Sequence, residues 1–285
     1  MISSIKEVEC KSIIVKSKLP DADYVVNPYT GCEFGCHYCY ASFMGRFADE
    51  SIENWGNYVH VKVNAVEVFE RDFRRLQRSG ATPSIFLSSV TDPYQRMESK
   101  YRLTRGILEI LAREKYQGVV SILTKSPLVI RDVDLLKQIP SAEVGMTITT
   151  TDDKISRFLE VRAPIVSQRI KTLKALHASG LTTYAFIGPL LPHFRQNPFE
   201  LDDLFAQVAS ASVSFVYVEH INLKRYIRER LLPIISDEST ELQNEYLGAA
   251  SAEHREALDE MVAALLTKYG LTLRLGEVLY HNNSG

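Results

Sequence analysis

The sequence predicts an α/β fold: a curved parallel sheet wrapped into a partly open barrel, with a helical extension at the C-terminus. Three observations lead there. Short apolar runs alternate along the chain with segments of helical period. The runs are rich in Val, Ile, Phe and Thr and carry apolar residues on both faces, as strands covered on both sides do. No repeat, low-complexity stretch or Pro/Gly/Ser-rich linker divides the 285 residues. Strand–helix alternation at this spacing implies right-handed crossovers into a parallel sheet. About six such units are expected, fewer than the eight that close a barrel.

Residues 1–23 form an N-terminal extension of alternating polar and apolar residues, with no apolar secretory core. A short strand near 24–27 opens the barrel, which is expected to span residues 24–221. A strand at 58–63 and a helix at 66–78 follow a cysteine-rich loop. Further strands are expected at 84–90, 119–124, 144–149, 183–187 and 214–218. Helices at 103–115, 167–179 and 200–211 alternate with them. The helix at 167–179 carries Ile170, Leu173, Leu176 and His177 on one stripe and stops at Gly180. Residues 222–285 form the C-terminal helical extension. A helix at 223–235 opens it, a helix at 253–269 carries Leu258, Met261, Val262, Leu265 and Leu266, and 271–275 is a strand candidate.

Composition sets limits on function. A net charge of −2 and a pI near 6.4 provide no global basic field for nucleic acid or an anionic membrane. The densest basic cluster, Lys224, Arg225, Arg228 and Arg230, reads first as a solvated helix face and second as a polyanion site. No stretch approaches the ~18 apolar residues that span a bilayer, so a soluble, cytoplasmic protein with no membrane partner is expected.

The chemistry concentrates in Asn27-Pro28-Tyr29-Thr30-Gly31-Cys32-Glu33-Phe34-Gly35-Cys36-His37-Tyr38-Cys39-Tyr40. Of 4 cysteines, only Cys10 lies outside this loop, and such clustering points to a metal rather than a disulfide framework. Three thiolates can wrap one compact iron–sulfur cluster and leave one iron without a protein ligand; Gly31 and Gly35 let the backbone approach the sulfurs. The competing reading is structural zinc with Cys10 or His37 as fourth ligand, although closed zinc sites prefer paired Cys-x2-4-Cys knuckles. In a parallel α/β sheet, loops after the strands carry the chemistry, and this loop follows the first short strand.

Cys-x3-Cys-x2-Cys with an aromatic before the last cysteine resembles the signature of the radical S-adenosylmethionine (SAM) superfamily. The fold this implies is a partial (β/α)6 TIM-like radical SAM barrel. The resemblance further implies a [4Fe-4S] cluster on Cys32, Cys36 and Cys39. Its open iron would chelate the SAM amino and carboxylate groups, and one-electron reduction, from a flavodoxin or ferredoxin, would cleave SAM to a 5′-deoxyadenosyl radical. The protein's part is positioning and shielding.

Ser88-Ser89-Val90-Thr91-Asp92-Pro93-Tyr94-Gln95, with Glu98 and Thr104-Arg105 behind it, is similar to the spore photoproduct lyase branch. That resemblance runs from about Tyr24 to Pro192, by strand order. It places Ser89, Thr91 and Asp92 at the SAM amino group, although Asp92 before Pro93 also reads as an Asx turn. It places Lys125 at the SAM carboxylate, against the plain reading of a surface lysine. Thr147 and Thr149, with Thr150 on the opposite face, fall where the family holds the ribose; Ile187 and Tyr38 fall at the adenine. Glu160, Arg162 and Arg169 are read as a brace ahead of a SAM contact.

His193, Tyr217, Glu219 and His220 end the last strands and are candidate substrate contacts. One departure matters. Spore photoproduct lyase uses a downstream cysteine as hydrogen donor, and no cysteine follows Cys39. The expected function is therefore SAM-initiated radical chemistry on an unidentified substrate, small molecule or nucleic acid, with Tyr94 and Tyr217 as alternative donors. A lyase acting on nucleic acid and a non-catalytic metal-binding adaptor are the alternatives.

Overall fold

Six short runs of Val, Ile, Leu and Thr lie side by side and parallel, and their covered faces form the core. The computed structural model describes residues 4–78 and 80–280. In chain order the early strands are β1 (Ser4–Val8), β2 (Ile14–Lys16), β3 (Tyr24–Val26), β4 (Tyr29–Thr30) and β5 (Tyr58–Lys62). The later ones are β6 (Ile85–Leu87), β7 (Val120–Thr124), β8 (Ala142–Thr147), β9 (Thr182–Leu190) and β10 (Phe215–His220). The helices are α1 (Ala65–Gln77), α2 (Met97–Tyr101), α3 (Leu103–Arg113), α4 (Val133–Leu136) and α5 (Asp153–Glu160). Then come α6 (Val166–Ala178), α7 (Pro198–Ala209), α8 (Arg225–Leu231), α9 (Thr240–Gly248) and α10 (Ala252–Tyr269).

The main sheet runs β2-β3-β6-β7-β8-β9-β10. From β3 to β10 every pairing is parallel; β2 alone is antiparallel, at the edge. The sheet curves into a partial barrel. A hydrogen bond from Tyr217 of β10 to Asp21, in the turn before β3, ties its two ends together. The strand expected at 58–63 forms as β5 but leaves this sheet. It pairs in parallel with β1 and antiparallel with β4, so the N-terminal extension supplies its neighbour. The strand candidate at 271–275 becomes a looser strip along β10, bridging at Leu273 and Leu279. Helices α2, α4, α5 and α9 appear where none was expected.

Local chemistry explains several boundaries. Ser251 Oγ accepts from His254 N at 3.2 Å and starts α10. Helix α3 follows Arg102, which is left-handed (φ 53) and lends no side-chain cap. The buried Glu98 carboxylate caps it instead, accepting from Thr104 N (3.0 Å) and Arg105 N (3.1 Å). Glu98 also accepts from Tyr29 Oη at 2.5 Å and Arg131 Nη2 at 2.8 Å. The Glu98 and Thr104-Arg105 pattern is thus a structural joint. No described helix is long and apolar enough to cross a membrane.

Candidate metal and cofactor centre

The cysteine loop leaves β4 and sits over the end of the barrel where the parallel strands finish. Its glycines answer to packing more than to the sulfurs. Gly31 has φ +86, and a Cβ there would stand 2.5 Å from the Tyr58 carbonyl oxygen of β5. Gly35 has φ +65 and backs onto Gly56, with the Arg162 guanidinium alongside. Both positions need a residue without Cβ.

Cys32 and Cys36 are buried and Cys39 half-buried. Burial pushes all three thiols up, Cys36 to about 12, and Cys32 rises further because Asp92, Cys36 and Cys39 stand beside it. Lys125 offsets this at Cys36 and Cys39, as Arg230 and the Trp55 indole do at Cys39. Bound metal reverses such a penalty outright, because it ligates the thiolate. Among the described residues no three His, Cys, Asp or Glu side chains converge on a single ion site. Cys10 lies elsewhere: its thiol donates to Asn64 Oδ1 at 3.4 Å, among Lys62, Asp72 and Arg71. A four-ligand zinc site drawing on Cys10 does not form. His37 is half-buried beside Arg230.

The segment after β6 clamps the loop. Thr91 Oγ1 donates to Gly31 O at 2.6 Å, and Gln95 Oε1 accepts from Glu33 N at 3.0 Å. Gln95 is fully buried, and its role was not apparent from sequence. Asp92 accepts from Tyr94 N (2.8 Å), Thr124 Oγ1 (2.7 Å) and Lys125 N (2.8 Å), an Asx turn stapled to the end of β7. Ser89 stands near Asn27 (3.5 Å), and its carbonyl accepts from the Tyr40 hydroxyl.

Behind the loop lies a buried polar knot. Burial alone would raise the Glu160 carboxyl, but Arg169 and Lys125 overcome it and hold the group below its ordinary range. Glu160 pairs with Arg169 and accepts from Tyr38, whose ring precedes Cys39. Ser156 Oγ donates to Glu160 at 3.0 Å and Thr149 Oγ1 at 3.4 Å. Lys125 Nζ is 3.8 Å from Glu160 and 5.8 Å from the Tyr38 ring centre, with its side chain 15% exposed, so it is no surface lysine. Arg169 also donates to Thr147 O at 3.3 Å. Thr150 Oγ1 accepts from Asp152 N at 3.1 Å and helps begin α5. Arg162 is a loop brace, donating to Glu33 O at 2.8 Å and to Gly56 O.

The strand-end candidates divide by face, because side chains alternate along a strand. Tyr217 packs on Tyr184 (5.4 Å) and Phe186 (6.1 Å), which share one face of the sheet. Ile187 points to the opposite face and is fully buried. His220 also turns away, with Nε2 2.8 Å from Asp259 of α10. His193 is buried against Phe194 (5.0 Å) and Tyr246 (6.4 Å), beside Glu200. His220 is paired in the helical layer, away from the mouth, and His193 is buried there with its Nε2 3.3 Å from Glu200, so neither is placed as the expected substrate contact. Tyr94 is buried, with the Arg131 guanidinium 5.9 Å from its ring.

The Radical SAM superfamily model matches residues 26–204, from β3 into α7. The chain belongs to the radical SAM superfamily. It is an enzyme of that family, which disposes of the adaptor reading, and its chemistry is radical SAM chemistry. Two relatives are uncharacterized proteins. One, from Methanocaldococcus jannaschii, is 34% identical and covers 77% of this chain and 78% of its own. The other, from Mycobacterium bovis, is 31% identical and covers 93% and 81%. Among solved structures, spore photoproduct lyase complexed with dinucleoside spore photoproduct superposes with TM-score 0.70 at 13% identity, covering 97% and 82%. Streptococcus suis SuiB bound to S-adenosylmethionine gives 0.54 at 15% identity, covering 90% of this chain and 47% of that one. These likenesses bear on the fold: a radical SAM partial barrel close in shape to spore photoproduct lyase.

Proposed function

We propose that Cys32, Cys36 and Cys39 hold a [4Fe-4S] cluster and that the enzyme uses it with SAM to start hydrogen abstraction on a substrate. The supporting observation is the donor set. Three thiols share one buried loop, the buried Trp55 indole N–H stands beside Cys39, and Lys125 and Arg230 bring positive charge. When bound, the cluster supplies the electron that cleaves the SAM sulfonium, taken from a flavodoxin- or ferredoxin-type reductant.

The chain's own residues position the reactants. Lys125, held by Glu160 beside Tyr38, is the cation for the SAM carboxylate. Ser89, Thr91 and Asp92 border the amino group, Thr147 and Thr149 the ribose, and Tyr38 with the backbone at Ile187 the adenine. The test is anaerobic reconstitution followed by reduction with SAM. About four irons per chain and formation of 5′-deoxyadenosine are expected, both lost in Cys36→Ala. One tightly bound zinc and no iron would end the proposal.

A second reading, a lyase acting on nucleic acid, draws support from the rim. The turn of helix at Tyr40–Phe47 carries Arg46 over Phe43 (5.2 Å) and Phe47 (4.8 Å), with Phe47 67% exposed. Aromatic faces interleaved with arginine stack bases. Fluorescence anisotropy of a labelled single-stranded oligonucleotide should weaken roughly ten-fold in Phe47→Ala, since one base stack contributes ~1–3 kcal/mol. Equal binding removes this reading and leaves the first intact.

A further inference from the structure

The four basic residues that read as one helix face have different surroundings. Arg225 is 92% exposed and pairs with Glu229 at 2.7 Å. Arg230, at the inner end of α8, is turned down onto the cysteine loop. Its Nη2 donates to the Cys36 carbonyl at 3.3 Å, while its Nη1 is buried with no hydrogen-bond partner. The helix that carries it is fixed: Ile227 and Leu231 are fully buried, and Tyr226 Oη donates to Tyr40 O at 3.0 Å. A guanidinium stays protonated in a protein, and an unpaired buried charge is costly unless an anion meets it. Lys125 and Arg169, cations that also act on Cys36, are both matched by Glu160; among the described residues no carboxylate pairs with Arg230 in this way. Its charged surroundings are Cys39 and Cys36, followed by the exposed Glu53.

We propose that Arg230 is a positioning residue for the cluster, a fixed cation that raises its reduction potential. This rests on the cluster reading above. A thiolate-ligated cluster gains negative charge on reduction, so a half-buried positive charge beside two of its ligands stabilises the reduced form more than the oxidised form. The C-terminal extension would then do more than cover the barrel: it would supply the charge that makes the cluster easier to reduce.

The test is a dye-mediated redox titration of reconstituted protein, read by electron paramagnetic resonance of the reduced cluster. At a fixed poise, Arg230→Gln should lower the reduced-to-oxidised ratio by about ten-fold, a shift of about 59 mV to more negative potential for a one-electron couple. Arg230→Lys retracts the charge and should fall between wild type and Gln. A Gln variant with full iron content and the wild-type potential overturns the proposal and leaves Arg230 as a backbone brace. Should Gln fail to hold iron, Arg230→Met removes the charge in its place, and a Met variant with full iron content at the wild-type potential overturns it equally. Wild-type protein that binds no iron defeats the cluster reading itself, so iron content separates the two failures.

Discussion

The buried knot behind the cysteine loop makes a quantitative prediction. In Glu160→Gln the side chain keeps its shape, and its amide oxygen still accepts from Tyr38 or Ser156. Its charge is gone, and the Arg169 guanidinium, 0% exposed, is left without its counterion. Breaking one side of a buried pair costs about 3–5 kcal/mol. That is a large share of a typical stability of about 5–15 kcal/mol. With a urea m-value of about 3 kcal/mol/M, the unfolding midpoint should fall by about 1–1.7 M with m unchanged. The measurement belongs on cluster-free protein, so that metal loss does not contribute. Arg225→Ala, which breaks a fully exposed pair, is the control and should not move the midpoint. Glu160→Gln/Arg169→Met removes both charges and should recover much of the loss, because a buried pair replaced as a unit is nearly neutral. A midpoint shift below about 0.3 M in the single variant, or a double variant no more stable than it, would refute the claim that Arg169 depends on Glu160.

Three further outcomes follow. Lys125→Ala should weaken SAM binding by at least about ten-fold at unchanged iron content, as loss of a charge-assisted contact predicts; equal affinity by calorimetry would leave Lys125 only as a partner of Glu160. Cys10→Ala should keep iron, SAM cleavage and native product, since its thiol sits against Asn64; loss of product with SAM cleavage intact would make Cys10 the hydrogen donor. Burial holds the His254 imidazolium below its ordinary value, although Glu245 at 3.0 Å pulls it up. The unfolded histidine therefore takes up its proton at higher pH, and its contribution to stability is full above about pH 6.5 and lost as pH falls through that value. Thermal melts of His254→Gln should decline less between about pH 7.5 and 5.5 than wild type; an identical decline would clear His254 of this role.

The parts of the fold that a single segment encodes were legible in the sequence. β7, β8, β9 and β10 are apolar runs whose outer face meets helices and whose inner face meets the barrel, so composition alone marked them. What depends on a distant partner was not legible. β5 looks like another barrel strand, yet its neighbour is β1, from a stretch that reads as an extension outside the barrel. His220 ends a strand, but facing Asp259 rather than the mouth follows from which residues of β10 turn inward. Gln95 and Arg230 gave no local signal: one is a buried amide holding Glu33, the other one of three arginines on α8. Arg169 sits near Glu160 in sequence, and their ion pair was readable for that reason, whereas Arg162 reaches the distant Glu33 and Gly56 carbonyls.

The same contacts bear on what happens when the cluster is absent. Small metal sites often have no structure without metal, because the ligands are the only groups holding the loop. Here the loop's backbone is satisfied by protein. Thr91 and Gln95 hold Gly31 and Glu33 from the β6 side. Arg162 holds Glu33 O at 2.8 Å, and its own amide donates to Phe34 O at 3.1 Å. His37 N donates to Leu159 O at 2.9 Å, and Met97 N to Glu33 Oε1 at 3.2 Å. Gly31 also leaves no room for a side chain against Tyr58. A loop tied from β5, the β6 connection, α5 and α8 loses little when metal leaves, so the iron-free protein should unfold in one cooperative transition with native near-ultraviolet dichroism from Trp55 and the loop tyrosines. Hydrogen exchange should show the amides of Glu33 and His37 protected with and without iron. Exchange at those two amides rising to the level of exposed turns after iron removal would show that the cluster, and not the surrounding side chains, orders the loop.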